Sequence, residues 1–360
     1  MSRHVLLAIT GHGYGHAAQT APVVEALRAL RPALRVSARS DLDARVLALF
    51  FPTLDGVSRP VADFGFTSRS AIDVDVANAE RDFGGLHQRF EAVVDAEAAA
   101  LRGLAPDLVL ANVGYVPIAA AARAGIPAVG FSSLNWLGIV RGYDAGWPDA
   151  ARIEVQMAAA YRQATLFVRP TPAMPMPDFP TVQVGPVARC GTPRRDALVE
   201  RLGLAAGERV VLVSLGGIAT ELPIATWPPV PGVRYVVAGL AVPPRADMVA
   251  LETLGLSHLD CLASADAVIT KPGYGTLAEA ACHGIPTLYV LRDVLRGRWY
   301  EEAPLVTWLE AHGTARAVAR AALERGDLAP ALHALWALPR KPPVPPRGND
   351  AAARLIAELL

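Results

Sequence analysis

The residues best suited to chemistry lie in two glycine-rich turns. The first reads Gly11-His12-Gly13-Tyr14-Gly15-His16 and follows a short apolar run at residues 4–10. An imidazole titrates at about 6.5 when unperturbed, so one held at the carboxyl end of a strand can take a proton from a hydroxyl nucleophile. His16 is the candidate base and His12 its helper, with Gly13, Tyr14 and Gly15 as the loop on the acceptor side. The turn is a poor dinucleotide fingerprint. His16 stands where that pattern needs its third glycine, and Asp41 falls late for a ribose-binding acid.

The second turn is Lys271-Pro272-Gly273-Tyr274-Gly275-Thr276, with Glu279 one helical turn further on. Gly273 and Gly275 would let a ligand approach the backbone and present free N–H groups. Thr276 is expected to cap the following helix, whose N-terminus carries partial positive charge. Together these make a diphosphate site, with Lys271 beside it and Glu279 able to accept from ribose hydroxyls. Gly216-Gly217, after the run at 209–215, is a further turn open to a ligand. Arg292-Asp293, Arg296 and Trp299-Tyr300-Glu301-Glu302 follow another apolar run; their carboxylates suit sugar hydroxyls and their guanidinium groups suit phosphate. His258 and Asp260 are weaker candidates on the same rim.

These turns need strands to aim them. Apolar runs predict strands at 4–10, 35–39, 107–111, 128–131, 165–168, 209–215, 234–238, 267–270 and 287–290. Ala-rich stretches with helical spacing separate them, as at 20–30, where Val23, Val24, Leu27 and Leu30 share a face. Strand and helix in alternation mean βαβ units and parallel sheets, hence an α/β protein. Residues 108–127 (LVLANVGYVPIAAAARAGIP) and 267–286 (AVITKPGYGTLAEAACHGIP) form a near-repeat, which suggests two similarly built domains. Where the copies differ, the second has Lys271 for Asn112, Gly275 and Thr276 for Val116 and Pro117, and Glu279 for Ala120.

A length of 360 residues suits two domains, at roughly 100–200 residues each. The Pro-rich stretch 169–193 should hold the boundary. The expected division is 1–186, an acceptor domain; 187–340, a donor domain; and 341–360, a second Pro-rich stretch and a final helix at 350–360 that packs back on the first domain. Lys+Arg and Asp+Glu are 34 each, a balance that argues against a nucleic-acid binder. Cys190, Cys261 and Cys282 are widely spaced, which argues against a disulfide framework or zinc site and fits a reducing, cytoplasmic setting. The N-terminal run is too short for a signal peptide, and no apolar stretch reaches the roughly 20 residues of a membrane span. Peripheral membrane contact and oligomeric state stay open.

With these motifs in hand, the chain resembles the GT-B glycosyltransferases, in the branch of the bacterial peptidoglycan N-acetylglucosaminyltransferase and the UDP-glycosyltransferases. The likeness rests on GHGYGHAAQTAPVVEAL and ADAVITKPGYGTLAEAACHGIP. It is closer still to the glycosyltransferase-like N-terminal region of plant L-arabinokinases, through GHGYGH, KPGYGTLAEA, Arg292-Asp293 followed by YEEAPL, and the Gly-Asn-Asp before the last helix. The sugar-kinase half of those proteins is absent, so kinase activity is not implied. The resemblance implies two facing Rossmann-like domains and a metal-independent transfer from a nucleotide-diphosphate sugar, UDP-linked by preference, to an acceptor hydroxyl. It places His16 as base, Gly216, Gly217, Gly275 and Thr276 on the diphosphate, Glu279 on the ribose, and Glu301 and Glu302 near the donor sugar. The Lys271-Pro272-Gly273-Tyr274 turn and the Glu301-Glu302 pair depart from the family pattern, which leaves base and sugar identity open. Two other readings stand beside the transferase: a non-catalytic nucleotide-sugar-binding module, and a nucleotide-sugar epimerase.

Overall fold

The computed structural model describes residues 2–62, 65–66, 68–217, 220–292 and 297–360. Its strands, in chain order, are β1 (His4–Ile9), β2 (Arg35–Arg39), β3 (Val57–Ser58), β4 (Ser68–Ser70), β5 (Asp73–Val74), β6 (Leu108–Asn112), β7 (Ala128–Phe131), β8 (Leu166–Pro170) and β9 (Val182–Val184). There follow β10 (Arg209–Ser214), β11 (Val233–Ala238), β12 (Met248–Ala250), β13 (Ala267–Thr270), β14 (Thr287–Tyr289) and β15 (Ala315–Ala317). They form a parallel sheet in the order β3-β2-β1-β6-β7-β8-β9, a second parallel sheet in the order β12-β11-β10-β13-β14-β15, and the antiparallel hairpin β4-β5.

Alternation along each strand explains why both faces are covered. Leu6, Ala8, Val109 and Ala111 enter one core of the first sheet, while Val5, Leu7, Ile9, Leu108 and Leu110 enter the core on the other face. Strands buried on both faces read as continuous apolar runs, which is why all nine predicted strands appear. β2, β7 and β13 match their predicted bounds at both ends. The strands not predicted are short pieces of two or three residues. β9 forms inside the Pro-rich stretch, at the edge of its sheet, with Val182 and Gln183 exposed. Helix Gly15–Leu30 starts five residues ahead of the predicted 20–30, directly from the glycine-rich turn.

Topology aims the turns. In the first sheet the strand order reverses between β1 and β6; in the second, between β10 and β13. Open parallel sheets bind ligands outside the carboxyl ends of their strands at such a switch point. Residues 11–16 follow β1 and Asn112 ends β6; Gly216-Gly217 follows β10 and Lys271 follows β13. The near-repeat is thus β6 and β13, each with its following helix, at equivalent places in the two sheets.

The last helix, Gly348–Ala357, buries Ala352, Ala353 and Ile356 in the core that holds Val5, Leu7, Ala17 and Leu27. Arg31 donates to the Ala357 carbonyl at 3.2 Å, and Asn349 exchanges two hydrogen bonds with the Ala188 backbone. Among the described residues no helix is long and apolar enough to cross a membrane.

Candidate active site

His16 occupies the first turn of helix Gly15–Leu30 and is buried. Its Nδ1 lies 2.9 Å from Asn112 Oδ1. Asn112 Nδ2 points the other way, donating to Gln19 Oε1 (3.1 Å), Thr20 Oγ1 (3.0 Å) and the His16 carbonyl (3.3 Å). An amide so engaged offers the ring only its carbonyl oxygen, so the proton sits on Nδ1 and Nε2 keeps its lone pair. Burial pushes the imidazole down to about 4, against the opposing Asn112 bond and assisted by the Lys271 charge. A neutral ring with a free Nε2 is the state a general base requires.

His12 is packed among aromatic rings, edge-on to Trp136 at 5.4 Å and stacked near Trp299 at 6.3 Å between centroids. Burial, then His16, Lys271 and Arg292, push it down to about 3. Gly65 lies against this imidazole so closely that a Cβ there would collide with it. Gly13 has φ 71°, a backbone that favours glycine, and carries the chain round into the helix. Tyr14 is half-exposed and its ring presses on Gly217, where a Cβ would also collide. Gly217, read from sequence as a diphosphate contact, therefore also accommodates a ring from the opposite half.

Across from these, helix Tyr274–His283 begins at an extended Gly273 (φ −126°, ψ 135°), with no side chain capping it. This corrects the expected Thr276 cap. Because Gly273 lets the helix begin at Tyr274, Thr276 falls inside the first turn instead of at the cap position. The first helical backbone bond is Leu277 N–H to the Gly273 carbonyl at 3.2 Å, which leaves the N–H groups of Tyr274, Gly275 and Thr276 without a backbone acceptor among the described residues. Lys271 Nζ lies among these glycines, 3.1 Å from where a Gly273 Cβ would stand and 4.0 Å from a Gly216 Cβ. It has no hydrogen-bond or ion-pair partner among the described residues. Burial and the Arg292 charge push the amine down to about 7, against Glu301 and Glu302. A Cβ at Gly275 would meet Ala18 Cβ at 3.7 Å, so the loop at 271–276 faces the helix that carries His16.

Glu279 is buried one turn further along, makes no hydrogen bond among the described residues, and is pushed up to about 7 by burial, against Arg189. Glu302 is committed to Arg292 through an ion pair of 2.6 Å, and the guanidinium lies 4.6 Å over Trp299. Glu301 accepts from Ser133 Oγ at 2.7 Å and from Trp299 Nε1 at 3.1 Å, and burial raises its carboxyl. Both carboxylates expected on the sugar thus already hold protein partners. Ser133 also accepts from Gln19 at 3.0 Å, so a hydrogen-bonded run leads from His16 through Asn112, Gln19 and Ser133 to Glu301. His258 Nε2 meets Ser214 Oγ at 2.9 Å beside the Gly216 turn, whereas Asp260 accepts from Thr192 N–H and braces the crossing segment. Asp293 and Arg296 lie outside the described residues.

Sequence reasoning missed Asn112, Gln19, Ser133 and Trp136. For Asn112 the signal was present: a polar residue closing an otherwise apolar buried strand, at the repeat position that Lys271 fills in the other sheet. Among the described residues no three His, Cys, Asp or Glu side chains are grouped to hold a metal ion.

No family model matches the chain. It is similar to L-arabinokinase of Arabidopsis thaliana, 27% identical over 315 residues, which make up 85% of this chain but only 29% of that relative. Among solved structures it is similar to the glycotransferase of kitacinnamycin, with TM-score 0.61 and 17% identity over 100% of this chain and 99% of the other. It is similar also to Arabidopsis thaliana UGT89C1 complexed with UDP, with TM-score 0.58 and 13% identity over 99% and 100% of the two chains. The chain has the GT-B glycosyltransferase fold.

Proposed function

We propose that the chain moves a glycosyl group from a nucleotide-diphosphate sugar, UDP-linked by preference, to an acceptor hydroxyl, with residues 1–186 receiving the acceptor and 187–340 the donor. The observation that carries this reading is the opposition of two complementary ends: a neutral, oriented His16 on one side, and on the other three amides and a Lys271 that have no partner among the described residues. His16 Nε2 takes the proton as the acceptor oxygen bonds to the anomeric carbon. The bond from that carbon to the phosphate oxygen breaks, and its electron pair leaves on the diphosphate. The amides of 274–276 and Lys271 face that developing charge, and fixed donors of this kind are a large catalytic contribution. Charge handled this way requires no metal. Glu279, buried without a hydrogen bond, suits ribose hydroxyls.

The test is a thermal-shift screen against nucleotide-diphosphate sugars, followed by product analysis with candidate acceptors. A ligand at 100 times its Kd should add about 2.7 kcal/mol of stability. A shift with a UDP-sugar, lost in Lys271→Ala, supports the donor site; no shift with any nucleotide sugar rejects it. The similarity to part of an L-arabinokinase supports a second reading, a nucleotide-sugar-binding module without transfer. Binding with neither transfer nor hydrolysis would favour that module.

A further inference from the structure

Each half of the molecule lends a segment to the other half's core. The β4-β5 hairpin belongs to the first half by sequence, yet Ala71 and Ile72 at its tip are 1% and 3% exposed, within the apolar cluster of the second sheet that holds Leu215, Ile224, Val318 and Leu323. The hairpin is tied there by Asp73 to Arg320, at 2.7 and 2.9 Å, and by Ala71 N–H to Thr220 Oγ1 at 2.9 Å. In return, Trp299 of the second half is 5% exposed in the first half's core with Phe66, Trp136 and Tyr143. Its loop is locked by Arg298 N–H to the Gly142 carbonyl at 2.9 Å and by Ser133 to Glu301. Gly142 and Gly297 allow this backbone approach; a Cβ on either would collide with Arg298 or Tyr143.

We propose that the hairpin and the Trp299 loop are reciprocal straps that hold the two halves closed at rest and release together. Opening the halves about the crossing segment near Val184 withdraws Ile72 and Trp299 from their hosts at once, so a ligand lodged between the halves is retained until both straps let go. The hairpin is not part of the candidate active site. The proposal concerns the two halves alone and holds or fails whether or not sugar is transferred.

The test is hydrogen–deuterium exchange and small-angle scattering on the full chain carrying Ile72→Asp. Exposing one buried Ile side chain shifts an opening equilibrium on the order of tenfold to a hundredfold. Amides at 298–301 should therefore exchange faster by that factor, and the radius of gyration should rise, although the substitution lies in the other strap. Fast exchange at 68–74, with 298–301 and the scattering unchanged, would overturn the proposal, since the hairpin would then fray alone. Should Ile72→Asp fail to fold, Arg320→Ala removes the half-exposed ion pair to Asp73 together with a pair to Glu324 within its own helix. It should speed exchange at 298–301 about twofold to fivefold, whereas Glu324→Ala, which removes only the pair within the helix, should leave that exchange unchanged; no change at 298–301 in Arg320→Ala overturns the proposal equally.

Discussion

Burial keeps His16 neutral, and Asn112 fixes which ring nitrogen carries its proton. A carboxylate beside an imidazole favours the charged ring, whereas an amide oxygen orients it without adding charge. With its imidazole near 4, the protein should keep kcat/KM flat from about pH 5 upward on the acid side. Asn112→Asp raises the pKa of His16, so activity should fall as pH drops through the new, higher value; a pH–rate profile without that shift would separate Asn112 from the base. His16→Ala should lower kcat by about 10²–10⁴, with donor affinity by calorimetry nearly unchanged. Lys271 supplies the opposite dependence. Its amine near 7 is protonated below that pH and neutral above it, while a bound diphosphate favours the charged form. Donor Kd should therefore rise with pH above 7, and in Lys271→Met that slope should vanish in titrations between pH 6 and 9.

Elements were legible where burial on both faces wrote an apolar run into the chain, as at Leu108–Asn112 and Ala267–Thr270. They were illegible where pairing alone makes the strand: Val57–Ser58 and Ala315–Ala317 are short edge pieces with exposed residues. Helix starts failed for a related reason. Gly15 is a weak helix former, and the free amide ends at Gly15 and Tyr274 carry no capping side chain for sequence to announce. The two glycine-rich turns at the carboxyl ends of their strands were legible; the polar run from Asn112 to Glu301 was not, because Gln19 and Ser133 meet only after the sheet is assembled. Gly217 tests the contact between the two ends. Gly217→Ala should cost about 1–3 kcal/mol as an overpacked site, because its methyl meets the Tyr14 ring. Tyr14→Ala in the same chain should recover most of that loss in denaturant titrations.

At the scale of the whole molecule, the final helix ties the two halves together thermodynamically. The chain leaves the second sheet, runs past Gly284 through the Pro-rich stretch, where Val344 N–H bonds the Ala281 carbonyl, and ends in a core of the first sheet. Tyr274, Leu277, Ala281 and Leu309 from the second half lie in that same core, with Val184, Val187 and Ala188 from the crossing segment. A core shared in this way cannot be lost from one half while the other stays intact, so thermal unfolding should be a single calorimetric transition rather than two. Ile356 is fully buried there. Ile356→Ala should remove about 2–5 kcal/mol through lost burial and a residual cavity, lowering Tm by about 3–7 °C. The transition should remain single, because the cavity opens in the core to which both halves contribute. A new early transition, with the second sheet melting at its former temperature, would instead show that the helix stabilises the first half alone.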